Sequence, residues 1–152
     1  MLCGISLSRR RTPIAARTKI EVNPALCRQV SGLDDLARIV FPDNPNHRKA
    51  FVGVWIEIKY AEEQFQPSRS DLCARYGITR RTLEIVRAKL GKLGIIKRVS
   101  HFNPAYGHQP GWTFSDRFGA ALSSLVAATK AHREPTGRPQ DRLKDEQALL
   151  FV

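Results

Sequence analysis

Acidic residues are scarce in this sequence. The chain of 152 residues has 14 Asp and Glu against 25 Lys and Arg, which gives a formal net charge of +11 at pH 7. An excess of this size favours a polyanionic partner. The sequence also lacks an apolar run of the roughly eighteen residues that a membrane-spanning helix needs. We therefore expect a soluble, cytoplasmic protein that associates with no membrane.

Motifs for catalysis and for cofactors are lacking as well. No nucleophile with a neighbouring base, no pair of carboxylates and no Gly-rich phosphate loop occurs at a recognisable spacing. Cys3, Cys27 and Cys73 are far apart and form no CxxC spacing, which argues against a disulfide framework or a zinc site. His101 and His108 supply only two potential metal ligands. We expect no enzyme, no metal site and no cofactor.

The positive charge is concentrated in two blocks. Residues 1–19 carry five basic and no acidic groups, and residues 68–100 carry nine basic groups against two acidic ones. We expect 1–19 to be a disordered basic arm, although its composition also fits an organellar transit peptide, a misplaced start or an ordered segment. The polar, proline-interrupted composition of 132–152 predicts a flexible tail. A single domain over 20–131 lies between them.

Three helices are predicted around the second basic block. The first helix begins with a capping-box spacing at Ser31, and the helix ends before Pro42. The second is capped by Asn46 and runs to about Gln64. It is apolar on two faces, which fits either a helix sandwiched in the core or a dimer interface. The third is an amphipathic helix over 116–131.

The stretch Leu72–Arg98, LCARYGITRRTLEIVRAKLGKLGIIKR, holds eight Lys or Arg and a single acidic residue. A short helix is followed by Gly77, which suits the left-handed conformation that ends a helix. Thr79 can cap the next helix, over 80–93, and Gly94 ends it. The apolar side chains fall at the spacing of two helices packed through a turn: Leu72, Tyr76, Ile78, Leu83 and Val86.

This segment closely resembles the helix-turn-helix motif, with Cys73 at the small-residue position where the two helices touch. The continuation LGKLGIIKRVS, then a loop and WTFS, resembles the winged-helix domains of bacterial and archaeal regulators such as the MarR-like and GntR-like families. The resemblance covers about residues 47–118. It implies a mainly α fold with a small β-wing, a winged helix-turn-helix with additional N- and C-terminal helices. From composition, IIKRVS and WTFS are predicted strands that flank an eleven-residue loop, HFNPAYGHQPG.

The outward side of helix 80–93 is the candidate reading surface. It presents Arg81, Glu84 and Ile85, and these are the side-chain types that contact guanine, cytosine and thymine in the major groove. The alternative that Glu84 pairs only with nearby basic residues, and that Ile85 packs on another element, stays open. The resemblance adds a wing over 101–110. The predicted DNA-binding residues are Thr79, Arg80, Arg81, Thr82, Glu84, Ile85, Arg87, Lys89, Lys92, Arg98, His101, Asn103, His108 and Gln109.

The resemblance implies a sequence-specific protein that binds double-stranded DNA as a nucleoid-associated transcriptional regulator. We expect a homodimer, joined through the helix at 116–131, the helix at 47–64 or the first helix. A winged helix that binds an acidic protein surface instead of DNA is a further alternative.

The C-terminal sequence QALLF supports another function. It resembles the Gln-x-x-Leu-Phe peptides by which bacterial replication and repair proteins dock on the sliding clamp. The candidate partner-binding residues are Gln147, Leu150 and Phe151. They would belong to a plasmid or phage replication or maintenance factor that binds DNA and recruits a clamp. An amphipathic end that folds back on the domain or on a partner subunit fits the same residues.

Overall fold

A computed structural model describes residues 17–68, 71–105 and 107–152, so most of the predicted arm at 1–19 lies outside the described residues. The described chain is mainly helical with a small antiparallel sheet. The helices are α1 (Pro24–Arg28), α2 (Leu33–Val40), α3 (Pro45–Lys59), α4 (Leu72–Tyr76), α5 (Arg80–Leu93), α6 (Arg117–Arg133) and α7 (Pro139–Gln147). The strands are β1 (Gln66–Pro67), β2 (Ile96–Asn103) and β3 (Gly107–Phe114). Among the described residues, no helix is both long and apolar enough to cross a membrane.

The chain divides into two compact units, of which the first ends at Ser115 and the second is Asp116–Val152. The division falls before α6, whereas the sequence placed the domain boundary after residue 131. The second unit contains α7 in the segment expected to be a flexible tail. Each unit is described by itself below.

The starts and ends of α2 and α3 differ from the predicted ones. Gly32 stands at the N-cap of α2, while the Ser31 hydroxyl bonds to the carboxylate of Asp35 at 3.1 Å. The side chain of Asn44 caps α3, because its Oδ1 accepts from two backbone N–H groups of the first turn. The helix ends at Lys59 rather than near residue 64, where the backbone at Glu63 has a positive φ of 53° that no right-handed helix can contain.

The core of the first unit lies between α2, α3 and α5. Trp55 on α3 packs against the rings of Phe51 and Phe114, with centroids 5.5 and 4.9 Å apart. The main apolar stripe of α3 is therefore occupied inside the chain, which supports the core reading of this helix over the dimer reading. The buried apolar residues are Ala37, Val40, Phe41, Ala50, Phe51, Val54, Ile58, Leu72, Ile78, Leu83, Val86, Leu90, Ile95 and Ile96.

The connection between α4 and α5 forms as the sequence predicts. Gly77 has φ 62° and Gly94 has φ 83°, so both helices end in the left-handed conformation that costs glycine little. The Thr79 hydroxyl accepts from the backbone N–H of Thr82 at 3.1 Å and caps α5. These local contacts fix the angle at which α5 leaves the turn.

The two long strands pair directly, and the predicted eleven-residue loop at 101–111 is wrong. β2 and β3 stay in register from Ile96 opposite Phe114 to Asn103 opposite Gly107. Cross-strand pairing overrides the low strand propensity of the Gly and Pro residues in this stretch. The Asn103 side chain accepts from the backbone N–H of Ala105 at 2.8 Å and helps to close the turn. β1 pairs with the other edge of β3.

Candidate nucleic-acid interface

The inward and outward faces of α5 differ in burial as the helical period requires. Leu83, Val86 and Leu90 are buried, whereas Arg81 and Lys92 on the opposite side are exposed. Between them, Glu84, Ile85 and Ala88 are partly exposed. We call the residues Arg81, Glu84, Ile85, Ala88 and Lys92, with Arg80 on the flank, the outward face of α5.

The first turn of α5 brings together two kinds of predicted DNA contact, threonine hydroxyls and charged side chains. Thr79 and Thr82 share a hydroxyl hydrogen bond of 2.9 Å at the helix N-terminus. Arg80 donates from Nε to the Glu84 carboxylate at 3.3 Å, and its side chain is 78% exposed. A pair of this kind on a helix surface contributes only roughly 0.2–0.5 kcal/mol. It can therefore be exchanged for a partner outside the chain.

A hydrogen-bonded cluster fixes the helix before the turn. Glu57 on α3 accepts from the Tyr76 hydroxyl and from an Arg75 Nη1, both at 2.7 Å. The hydrogen bond from Tyr76 is the main cause that lowers the pKa of the Glu57 carboxyl. This cluster ties α4 to α3 and so positions the turn from which α5 starts.

Lys89 does not belong to the outward face, although the sequence predicted it as a DNA contact. The residue is only 8% exposed. Its ammonium donates to the backbone carbonyls of Lys19 and Val40 and lies 4.5 Å from the centroid of the Phe41 ring. Burial lowers the pKa of Lys89, with Asp43 acting in the opposite direction. Lys89 therefore links the end of α2 to α5.

Arg87 is also turned away from the outward face, toward the sheet. Its guanidinium lies over the Trp112 ring, 5.6 Å from the centroid. The atoms Nε and Nη2 are shielded from solvent and have no hydrogen-bond partner within the described ranges. Burial lowers the pKa of this guanidinium. Lys89 differs from Arg87 in this respect, because two backbone carbonyl oxygens accept hydrogen bonds from its ammonium.

A cleft of about 760 Å³ lies between α5 and the sheet, and sequence reasoning missed it. Arg87 and Arg98 line it together with Trp112, which pairs with Arg98 across the strands. Ser68 also lines it, and its hydroxyl is buried without a partner among the described residues. The register of β2 and β3 brings Arg98 and Trp112 together, and the packing of α5 on the sheet adds Arg87, so composition could not reveal the cleft.

The predicted wing residues divide between the two faces of the hairpin. His101 pairs with Gln109 across the strands and Phe102 pairs with His108, so the two histidines point to opposite faces. The His101 Nε2 lies 2.8 Å from a Glu63 carboxylate oxygen, and its ring stacks on Phe65 at 4.9 Å. His108 packs against Phe102 at 5.2 Å. The structure therefore does not gather these residues into one contact surface.

The C-terminal candidate residues lie at the end of α7. Gln147 is the last residue of that helix, and a short 3₁₀ turn, Ala148–Leu150, follows it. Leu149, Leu150 and Phe151 are 75%, 81% and 87% exposed. Within the second unit, this apolar end is covered by nothing that the structure describes.

Comparison of the chain with protein-family models, with curated proteins and with solved structures finds no match in any of the three.

Proposed function

We propose that this chain is a winged-helix protein that binds double-stranded DNA and reads the major groove with the outward face of α5. The observation that carries the proposal is the segregation of α5. One side is buried in the core, and the other exposes Arg80, Arg81 and Lys92 in a chain of net charge +11. The order of helices and strands, with β2 and β3 following α5, is consistent with a winged helix.

The chemistry of the outward face suits base recognition. The diameter of an α-helix fits the major groove, where Arg bonds to guanine through two N–H groups and a carboxylate accepts from cytosine. Arg81 and Glu84 supply these groups, and Ile85 supplies an apolar contact for a thymine methyl. The free N–H groups at the start of α5, with the Thr82 hydroxyl, suit a backbone phosphate. We propose that such a module regulates transcription.

Selection of bound duplexes from a random library tests this proposal. We expect one enriched sequence, and we expect Arg80→Ala with Arg81→Ala to weaken its binding at fixed salt by at least about tenfold, since each base contact is worth roughly 1–3 kcal/mol. Both residues are exposed, so circular dichroism should be unchanged. Enrichment of no sequence, with weak binding to any duplex, would instead support a basic surface that binds an acidic protein.

The helix α6 provides a surface for a second copy of the chain. Phe118, Ala121, Leu125, Ala128 and His132 repeat with a 3-4-3-4 spacing, which places them on one side of the helix. The structure buries no residue of α6, and Leu125 is 60% exposed. We propose that two copies pair through this side of α6, so that a dimer binds a site with two-fold symmetry.

Light scattering during size-exclusion chromatography tests the pairing. We expect Leu125→Glu to convert a dimer into a monomer, because it places a charge in an apolar seam. Ser123→Glu is the matched control, since the same charge is added to the other side of α6. A dimer that survives Leu125→Glu, or a wild-type monomer, would contradict the pairing.

A second candidate function is favoured by the exposed C-terminal end. Leu150 and Phe151 follow a short helix and resemble a peptide that docks in an apolar groove. The candidate is a replication or maintenance factor that binds DNA and recruits a sliding clamp through Gln147, Leu150 and Phe151. Pull-down of the clamp by the full chain, with loss after Phe151→Ala, would support it. Retention of the clamp by the variant, or no retention by either protein, would eliminate it.

A further inference from the structure

The cleft between α5 and the sheet is lined by the partly buried guanidinium of Arg87, which forms no ion pair with the described residues. Arg87 has two shielded N–H-bearing nitrogens that lack a hydrogen-bond partner within the described ranges. Shielding guanidinium nitrogens from water without a hydrogen-bond acceptor costs free energy, and most buried polar atoms of folded proteins have a partner. Lys89, two residues along the same helix, shows the usual solution, because two backbone carbonyls accept from its ammonium.

The other charged groups that line the cleft also favour the binding of an anion. Arg98 is exposed on β2 and lines the same cleft, and Arg80 lines its outer part. Two carboxylates are also present, Asp71 and Glu84, but Glu84 is engaged by Arg80 at 3.3 Å. Three guanidinium groups of the described residues therefore face two carboxylates, and Nε and Nη2 of Arg87 donate to neither of them.

We propose that this cleft is a phosphate-binding site in which Arg87 is the charged anchor. The planar guanidinium bonds to phosphate oxygens through two parallel N–H groups, and a small rotation of its long side chain turns them toward the cleft. The Trp112 ring supports the guanidinium from below, and the Ser68 hydroxyl supplies a neutral donor. A volume of about 760 Å³ accommodates a phosphate group with room for the molecule that carries it.

The phosphate has two possible sources with the same chemistry. One is a backbone phosphate of DNA, since the cleft adjoins the outward face of α5 on the side of the hairpin. This source rests on the proposed function. The other is a free phosphorylated small molecule, which would bind whether or not the chain binds DNA. The two sources are separated by titrating the full chain with inorganic phosphate and, independently, with chemically altered DNA.

In the first arm, thermal unfolding of the full chain is followed in sodium phosphate, sodium chloride and sodium acetate at matched ionic strength and pH. Phosphate at ten times its dissociation constant should raise the Tm by at least about 4 °C over chloride, because it binds only the folded chain. Arg87→Met should abolish this increase, whereas the matched change Arg142→Met on α7, outside the proposed DNA-binding surface, should leave it intact. Ser68→Ala is a second variant, expected to reduce the increase, in case Arg87→Met does not fold.

In the second arm, duplexes of a bound sequence carry one neutral methylphosphonate at each backbone position in turn. At one backbone position, the methylphosphonate should weaken DNA binding by the wild-type chain about tenfold and should not weaken binding by Arg87→Met. The reason is that the neutral phosphonate and the Arg87→Met substitution remove the same contact.

If only the phosphate-specific rise in Tm is seen, the site binds a free phosphorylated ligand. If only the methylphosphonate effect that depends on Arg87 is seen, the site binds a DNA backbone phosphate. Either result supports the proposal. The proposal is overturned if neither appears, if Arg87→Met retains both, or if acetate raises the Tm as much as phosphate does. Because the first arm contains no DNA, failure of the DNA-binding proposal leaves it fully informative.

Discussion

Replacing Lys89 by Met should destabilise the protein without weakening its binding to DNA. The ammonium of Lys89 donates to the carbonyls of Lys19 and Val40, and the Val40 carbonyl lies at the end of α2, where no intrahelical donor remains. A hydrogen bond to a charged group contributes roughly 1.5–3 kcal/mol, and Met recovers part of this because the buried charge disappears. We expect a net loss of about 2 kcal/mol in the free energy of unfolding.

Urea denaturation followed by far-ultraviolet circular dichroism measures this loss as a lower midpoint with an unchanged slope. Lys92→Met is the matched control, because Lys92 lies three residues further along α5 and is exposed. It should change stability by less than about 0.5 kcal/mol and should weaken DNA binding instead. The opposite pattern, in which Lys89→Met keeps its stability and loses DNA affinity, would refute the reasoning from burial.

Three further predictions concern the framework around α5. Gly91→Ala should raise the free energy of unfolding by roughly 0.5–1 kcal/mol in urea denaturation, since an added Cβ meets nothing within 4 Å and Ala favours the helix interior; a loss of stability would contradict this. Tyr76→Phe should lower it by about 1 kcal/mol by removing the 2.7 Å hydrogen bond to Glu57, and unchanged stability would show that the bond contributes nothing. Burial lowers the pKa of His47 below 6.5, so the unfolded chain binds more protons and stability should fall as the pH drops below 6.5. The variant His47→Gln should lack this component, and parallel pH profiles of the two proteins would contradict the assignment.

Features that depend on neighbouring residues could be predicted from the sequence. Gly77, Thr79 and Gly94 act through contacts within a few residues, and the structure places all three as their residue types require. The inward row of α5 follows from helical period alone. Lys89 was predicted as a DNA contact without being placed on the outward face, and it lies beside the inward row.

Features that depend on distant contacts could not be predicted. The partners of Lys89 lie 49 and 70 residues away in the chain, so no local pattern reports its burial. The hairpin was hidden for a similar reason, because Gly and Pro in 101–111 indicate a loop until the pairing with β2 is known. The cleft at Arg87 requires that pairing too, since Arg98 and Trp112 meet only across the strands.

The second unit shows a different limit of local reasoning. The sequence predicted a helix over 116–131 and the structure has α6 there, yet it leaves Leu122, Leu125 and Val126 36%, 60% and 50% exposed. A periodic apolar face indicates that something covers it, and does not indicate what. The proposed pairing of two copies is an answer that requires a measurement of mass in solution.

The most direct test of the central proposal compares two equivalent ion pairs. Arg80 with Glu84 on α5 and Arg142 with Glu146 on α7 have the same spacing, and each arginine donates from Nε to its carboxylate. The dissociation constant for a selected duplex is measured at fixed salt for Arg80→Ala and Arg142→Ala. If α5 binds DNA, Arg80→Ala weakens binding by about tenfold or more and Arg142→Ala leaves it within about twofold. Equal effects of the two substitutions would contradict the assignment of α5 as the DNA-reading helix.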